Sequence, residues 1–363
     1  MDEKKILEKI ERNKAFYEMR DTDRPLLGCY IGGWEGLSKY STHVHEYIKP
    51  GLVTADDITT EAFTEFYDNF LPKISYEYDD FVRCLEPVNP IPWSEAMLGC
   101  PVRFSGQNFW TDQMGKEAFD ELMENDFPIE ENNPWLNKYV EFIDFLKARY
   151  PGRPVGQSII RGSIDMLCAA LGHEEVIIDA LEEPEYIDRG LKYCERILNK
   201  ICDVQIEHFP KYYGGYGMGY YSIWMDRPSL RIQADNVALM NPKIYEDLIH
   251  PSCLRLAKHA PGCIFHTHST SHFIMDKLVD NPWLDIVQVS KDAGDVPISE
   301  MIRAMKIIQK AGKPILFKGA IGREEAQAIA DNIDKRGLCL GVVTDTNETA
   351  DGVMEMLTSI NWK

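Results

Sequence analysis

The sequence lacks most of what would place it outside ordinary folded proteins. No stretch approaches eighteen consecutive apolar residues, so a membrane-spanning helix is not expected. The opening Met-Asp-Glu-Lys-Lys-Ile-Leu-Glu-Lys-Ile mixes charge with apolar residues at helical spacing and has no uninterrupted hydrophobic core of a secretory leader. Cysteine pairs are missing too: the nine cysteines are odd in number, scattered, and never spaced Cys-x-x-Cys, the usage of a reducing compartment. A cytoplasmic location is the expectation. Basic charge is scarce, 39 Lys and Arg against 58 Asp and Glu for a net charge of −19, which makes a grip on a phosphate backbone unfavourable and excludes nucleic acid as a partner. With only 25 glycines and 20 prolines in 363 residues, and no Ser/Gly linker or low-complexity block, disorder and collagen-like repeats are also excluded.

What is there is a recurring unit: a short β-rich run, a polar or Gly-containing turn, then a helical stretch. The runs are Leu26–Ile31, Phe81–Leu85, Val155–Ile160, Leu230–Ala234, Cys263–His266, Asp285–Val289, Ile315–Phe317 and Leu338–Leu340. Apolar positions at three- and four-residue spacing predict helices over Glu174–Lys192, Pro242–His259, Ile298–Lys310 and Glu324–Lys335. Asn241-Pro242 suits a first helical turn, and Gly312 closes a helix before Pro314 opens a strand. Strands alternating with helices imply a parallel sheet, and eight of them suggest an α/β fold closed as a single (β/α)8 TIM barrel, with a doubly wound open sheet as the alternative. Residues 1–24 read as an N-terminal helical extension, and the irregular aromatic and acidic stretches at 40–80 and 105–140 as insertions in one domain spanning 1–363.

In such a barrel the chemistry collects where strands end. The runs lead into Gly32-Gly33-Trp34-Glu35, Trp93-Ser94-Glu95, Arg161-Gly162-Ser163 with Asp165 beyond, Asp235-Asn236, His266-Thr267-His268, Ser290-Lys291-Asp292, Lys318-Gly319 and Thr344-Asp345. His266 and His268 are two apart on a strand, so both imidazoles point to one side and could bind one metal, zinc with Asp235 as third ligand; they could also hydrogen-bond a substrate or each other. Arg161 either clamps an anionic substrate or pairs with Asp165 or Asp235, and Lys318 either holds an anionic group or lies at the surface. Asp235 is a general acid or base, a metal ligand, or a helix cap. Gly215-x-Gly217-x-Gly219 alternates with aromatics and does not match a phosphate loop; it reads as a flexible aromatic loop over the barrel mouth, with Tyr221 and Trp224 shaping an apolar wall. Trp34 and Trp93 could add to that wall, and Glu95 stands beside Trp93. Cys100 and Cys168 are available as nucleophiles, with no histidine adjacent in sequence.

Four segments carry a resemblance. Pro92-Trp-Ser-Glu-Ala-Met-Leu-Gly-Cys-Pro-Val102, Arg161-Gly-Ser-Ile-Asp-Met-Leu-Cys-Ala-Ala-Leu-Gly172, Asp235-Asn-Val-Ala-Leu-Met-Asn-Pro-Lys-Ile-Tyr-Glu246 and Phe265-His-Thr-His268, with the tail Gly341-Val-Val-Thr-Asp-Thr-Asn-Glu-Thr349, resemble the uroporphyrinogen decarboxylase superfamily over roughly residues 24–360. The resemblance implies a (β/α)8 barrel, a homodimer, and one of two activities. One is cofactor-free decarboxylation of a tetrapyrrole; the other is zinc-dependent methyl transfer between a small substrate or thiol and a separate corrinoid protein.

The departures favour the second activity. Where the decarboxylases carry two arginines for a poly-anionic substrate, this chain has Arg24 alone, and Asn89, Cys168 and Val342 stand where they have Asp, Tyr and His. The methyltransferases hold zinc by His-x-Cys and a later Cys; here His266 is kept, His268 replaces the first Cys, Val342 stands near the second, and Cys339 is the nearest sulfur. The resulting expectation is a methyltransferase with His266, His268 and Asp235 as catalytic and metal-ligating residues, and Arg161, Lys318, Trp93, Glu95, Trp224, Tyr221 and Trp34 around a small-molecule substrate. A decarboxylase of a tetrapyrrole or smaller carboxylate, and a non-catalytic binding barrel, are the alternatives.

Overall fold

The computed structural model describes residues 2–32, 44–74, 76–88, 91–126, 128–292 and 296–363. Its centre is a six-stranded, all-parallel sheet within an α/β architecture. Eleven strands are present among these residues: β1 (Leu26–Ile31), β2 (Gly51–Val53), β3 (Val102–Phe104), β4 (Phe109–Thr111), β5 (Tyr216–Met218), β6 (Ile223–Met225), β7 (Ser229–Gln233), β8 (Gly262–Thr267), β9 (Ile286–Lys291), β10 (Ile315–Gly319) and β11 (Leu338–Thr344). The main sheet runs β1-β11-β10-β9-β8-β7, while β2–β4 and β5–β6 form small antiparallel sheets. No helix among the described residues is long and apolar enough to cross a membrane.

Six of the eight runs read from sequence are strands of this ladder. The other two, at 81–85 and 155–160, are not: one parallel bridge, Leu85 to Val155, links them to each other, flanked by Leu85 N–H to the Pro154 carbonyl and Gly156 N–H to the Leu85 carbonyl. Along their outer edges polar side chains join the backbone, whose Asp80 N–H donates to the Leu27 carbonyl at 2.9 Å. The Asp80 and Asp79 carboxylates accept the N–H groups of Leu27 and Cys29 at 2.9 and 3.0 Å, and Arg83 donates to the Cys29 carbonyl at 2.8 Å. On the far side, Gln157 Oε1 accepts Arg231 N–H at 2.8 Å, and the Arg231 guanidinium donates to the Ile160 carbonyl at 3.2 Å. An eight-stranded ladder is therefore not formed; two of its seams are stitched by polar side chains that satisfy the same backbone groups.

The expected helix over Glu174–Lys192 is two, His173–Glu182 and Pro184–His208, because proline disfavours helical geometry at Glu183 before it. Pro242–His259 is interrupted by a π turn at Tyr245–Ile249. Ile298–Lys310 matches, with Met301, Ala304, Met305 and Ile308 buried at the spacing that called for a helix. At the end where the strands begin, the helix Glu3–Tyr17 packs Ile10 against Val82 and Trp224.

Alternation along the strands grades the sheet interior from apolar to polar. Leu26, Ile264, Ile286, Leu316 and Cys339 form one buried cluster with the tip of the β5–β6 hairpin. Two residues further along β8, β9 and β10, the same face carries His266, Gln288 and Lys318, all buried. This gradient places the chemistry at the C-terminal ends.

Candidate functional site

His266 lies within β8, His268 just past its end, and Asp235 opens the short helix Asp235–Leu239 after β7. Because β7 and β8 pair in parallel with Gln233 opposite His266, the two strand ends bring these groups together. The imidazole Nε2 atoms are 3.1 Å apart, and Asp235 Oδ1 stands 3.5 Å from His268 Nε2 and 3.9 Å from His266 Nε2. Four bonds of about 2.0–2.1 Å at tetrahedral angles would separate ligand atoms by about 3.3–3.4 Å, the span seen here. The three ligand atoms form one metal-compatible cluster.

What faces away from the centre fixes what faces it. His266 Nδ1 meets Gln288 Oε1, and His268 Nδ1 lies 2.8 Å from Asp292 Oδ1. Both partners are oxygen acceptors, so each Nδ1 carries the proton and each Nε2 is left to offer a lone pair inward. Asp235 Oδ2 accepts Gln233 Nε2 at 2.7 Å, while buried Oδ1 is turned toward the two Nε2 atoms. Three acceptors thus converge on one point, an arrangement that only a cation relieves. Without a metal that cation is a proton: hydrogen bonds to Asp235 and Asp292 raise His268 to about 10. Burial, with Arg231 nearby, lowers His266 to about 3 and keeps it neutral. Asp292 falls to about 2, its burial outweighed by His268 and Ser269.

Asp165 holds the turn that presents Asp235. Its carboxylate accepts Asp235 N–H at 3.1 Å, Asn236 N–H at 2.9 Å and Asn236 Nδ2 at 2.8 Å. Burial and then the Asp235 charge push its own pKa up. Gly162 lets this loop close on β7: a Cβ there would overlap the Gln233 carbonyl oxygen. Its φ of −76° suits any residue, so the constraint is space alone. Gly162→Ala is expected to lower stability by about 1–3 kcal/mol or more, read as the midpoint of thermal unfolding, and to displace Asp235 with it.

Among the other expected site residues, Arg161 does not pair with Asp165 or Asp235. Its Nε lies 2.9 Å from Oε1 of buried Glu95, and the rest of its half-exposed guanidinium borders a cavity of about 380 Å³ lined also by Phe109, Trp110, Gln113 and His173. Lys318 is buried, not at the surface, and donates to Tyr220 Oη at 2.5 Å. Tyr221 lies inside the sheet beneath the histidines, its hydroxyl on Arg231. Trp93 and Trp224 are corrections. Trp93 is fully buried edge-on against Trp135, Tyr139 and Phe142, a core role. Trp224 sits at the opposite end of the sheet, its N–H groups on Asn13 and the Tyr212 carbonyl. The expected mouth loop is likewise an ordered hairpin, β5–β6, whose glycines give way to the Trp224 ring, Cys84 and Glu86. Cys100 and Cys168 are buried, which pushes both thiols up (Cys100 to about 12) and makes them poor nucleophiles. Trp34 and Asn89 lie outside the described residues.

Sequence motifs give no role to Asp292, Gln288, Gln233 and Arg231, although alternation from Ile286 through Gln288 and Ser290 to Asp292, and from Arg231 through Gln233 to Asp235, puts them on the His266 face.

Among solved structures, a methyltransferase from Methanosarcina mazei aligns over 97% of this chain and 97% of its own, at 11% identity and a TM-score of 0.59. This chain shares its fold. The metallated form of the homocysteine methyltransferase MmuM from Escherichia coli aligns over 93% of this chain and 96% of its own, with 10% identity and a TM-score of 0.41. No family model and no curated protein matches the chain.

Proposed function

We propose that this chain is a metal-dependent methyltransferase of the uroporphyrinogen decarboxylase superfamily, with a (β/α)8-type ring, acting on a small substrate with a thiol or a separate corrinoid protein as the other methyl carrier. The observation that carries the reading is the convergence of three lone pairs, from His266, His268 and Asp235, at the strand ends. Nitrogen and oxygen donors in this number fit zinc with a fourth position left for substrate. A zinc ion held there supplies Lewis acidity, lowering the pKa of a substrate thiol or hydroxyl.

The chain's own residues do the rest. His266 and His268 present Nε2, held by Gln288 and Asp292. Asp165 fixes the backbone that carries Asp235. Arg161, neutralised on one edge by Glu95, keeps its remaining N–H groups for one anionic group of the substrate. The methyl carbon moves to the acceptor's electron pair while the pair of the broken bond stays on the donor atom. Lys318 lies deeper and orients the interior through Tyr220.

Elemental analysis of freshly purified chain should find close to one zinc per chain, and methylcobalamin with a thiol or methylated substrate should exchange methyl groups in its presence. A chain that neither carries nor takes up a divalent metal would remove the proposal. For an anionic substrate, Arg161→Ala should raise KM about tenfold or more with little change in kcat, measured by steady-state kinetics. A homodimer, also proposed, is checked by sedimentation.

A further inference from the structure

Hydrogen-bond direction beneath the triad is set by one side chain that can only donate. Arg231, on β7 and buried, sends Nε–H to Tyr221 Oη at 2.9 Å and another N–H to Gln233 Oε1. Guanidinium has no acceptor, so both receiving atoms are oxygens acting as acceptors. Each contact then dictates the next.

Along the first path, Tyr221 has accepted from Arg231, and its own proton points to Gln288 Oε1, 3.4 Å away. The Gln288 amide oxygen receives that proton, and its nitrogen is turned to Ser290 Oγ at 3.0 Å. Gln288 Oε1 also meets His266 Nδ1, which must therefore carry hydrogen and leave Nε2 bare. Along the second path, Gln233 gives its oxygen to Arg231, so its nitrogen faces Asp165 Oδ2 at 3.2 Å and Asp235 Oδ2 at 2.7 Å. One Asp235 oxygen is consumed and the other, Oδ1, is turned inward. Two paths of fixed polarity start at one guanidinium and end at two of the three inward lone pairs.

We infer that Arg231, Gln288 and Gln233 are positioning residues for a divalent metal: they set the tautomer of His266 and the free oxygen of Asp235, so that two of the three ligand atoms are acceptors before any metal arrives. The inference rests on the metal reading of the triad. None of the three side chains touches the metal position; each acts through a ligand. Flipping either amide would turn an N–H toward His266 or deny Asp235 its donor; Arg231 forbids the Gln233 flip directly and opposes the Gln288 flip through the Tyr221 hydroxyl, whose proton it directs away from itself.

The test uses the full chain in four forms: the natural protein, Gln288→Leu, Gln288→Glu and Arg231→Met, each checked for folding by circular dichroism. Zinc affinity is measured by competition with a chromophoric chelator, and imidazole tautomers by nitrogen-15 NMR of the metal-free chain labelled at histidine. Gln288→Leu and Arg231→Met are expected to bind zinc about 10–100-fold more weakly. Gln288→Glu, whose carboxylate still accepts from Nδ1, should stay within about threefold of the natural chain. His266 should be the Nδ1–H tautomer in the natural chain and a mixture in Gln288→Leu. Zinc affinities within threefold for both disruptive variants, or an unchanged His266 tautomer in Gln288→Leu, would overturn the inference. Should Arg231→Met not fold, the two Gln288 variants, near in volume to glutamine, decide it alone. A natural chain that takes no zinc yet loses the tautomer in Gln288→Leu would sink the metal reading while the hydrogen-bond polarity stood.

Discussion

Asp235→Asn should abolish metal binding and leave the metal-free chain less stable than the natural one. The substituted amide keeps an oxygen for Gln233 Nε2, so its NH2 takes the place of Oδ1 and points at the two Nε2 atoms. A donor there cannot ligate, and zinc affinity should fall beyond the about 10–100-fold that losing an outer partner costs. The substitution also removes the carboxylate that holds the metal-free His268 imidazolium, leaving Asp292 as its anionic partner. Chelator competition and thermal unfolding in the presence of chelator measure the two halves. A variant that bound zinc normally would contradict the acceptor convergence on which the functional reading stands, and one whose metal-free form lost no stability would contradict the pairing of Asp235 with His268.

The second large effect lies at the seam between β1 and the run at 81–85. Asp79 has no exposed side-chain surface; Arg83 meets it at 2.6 Å and Lys9 at 3.4 Å. Burial pushes the Asp79 carboxyl up, but Arg83, Lys9 and the Cys29 N–H outweigh it, so it titrates below the ordinary carboxylate range. Lys9 is itself held below the usual ammonium value because burial, with Arg83 alongside, outweighs Asp79. Arg83, the nearer cation, is therefore the main partner. Asp79→Ala strands two buried cations and the Cys29 N–H together, and should cost about 3–5 kcal/mol, read from denaturant unfolding. Asp79→Asn, which keeps an acceptor for Cys29 but no charge, should fall between. With a folded pKa below the unfolded value of about 3.9, Asp79 contributes stability that is fully present above that pH and lost as pH falls through the folded pKa. The natural chain should weaken in that acid window, and Asp79→Ala should show less of that slope.

Much of this was legible beforehand. Leu26–Ile31 is a strand residue for residue, and spacing two apart was enough to bring His266 and His268 to one point with Asp235. The seams were not legible, because a run such as Val155–Ile160 has strand composition whether its partners are backbone groups or the Gln157 and Arg231 side chains. Trp93 and Trp224 misled for a related reason: a tryptophan near a strand end carries no mark of which face it takes, and packing settled both. The glutamines beneath the triad are not legible in the sequence because neutral amides carry no pattern of their own; the obligate donor at Arg231 gives Gln233 its direction.

The pairing of β1 with β11 also bears on how the chain is made. Leu26 aligns with Cys339, so the first strand finds its ladder partner only after more than three hundred residues have been synthesised. Until Leu338–Thr344 leaves the ribosome, β1 has side-chain partners on one edge and an open row of amides and carbonyls on the other. β7 through β10 can assemble in order as they emerge, whereas closure against β1 waits for the last strand and carries the longest loop in the molecule. A chain halted before Leu338 would thus retain Asp235, His266 and His268 and still expose an adhesive strand edge, making aggregation during translation the failure to which this topology is most prone.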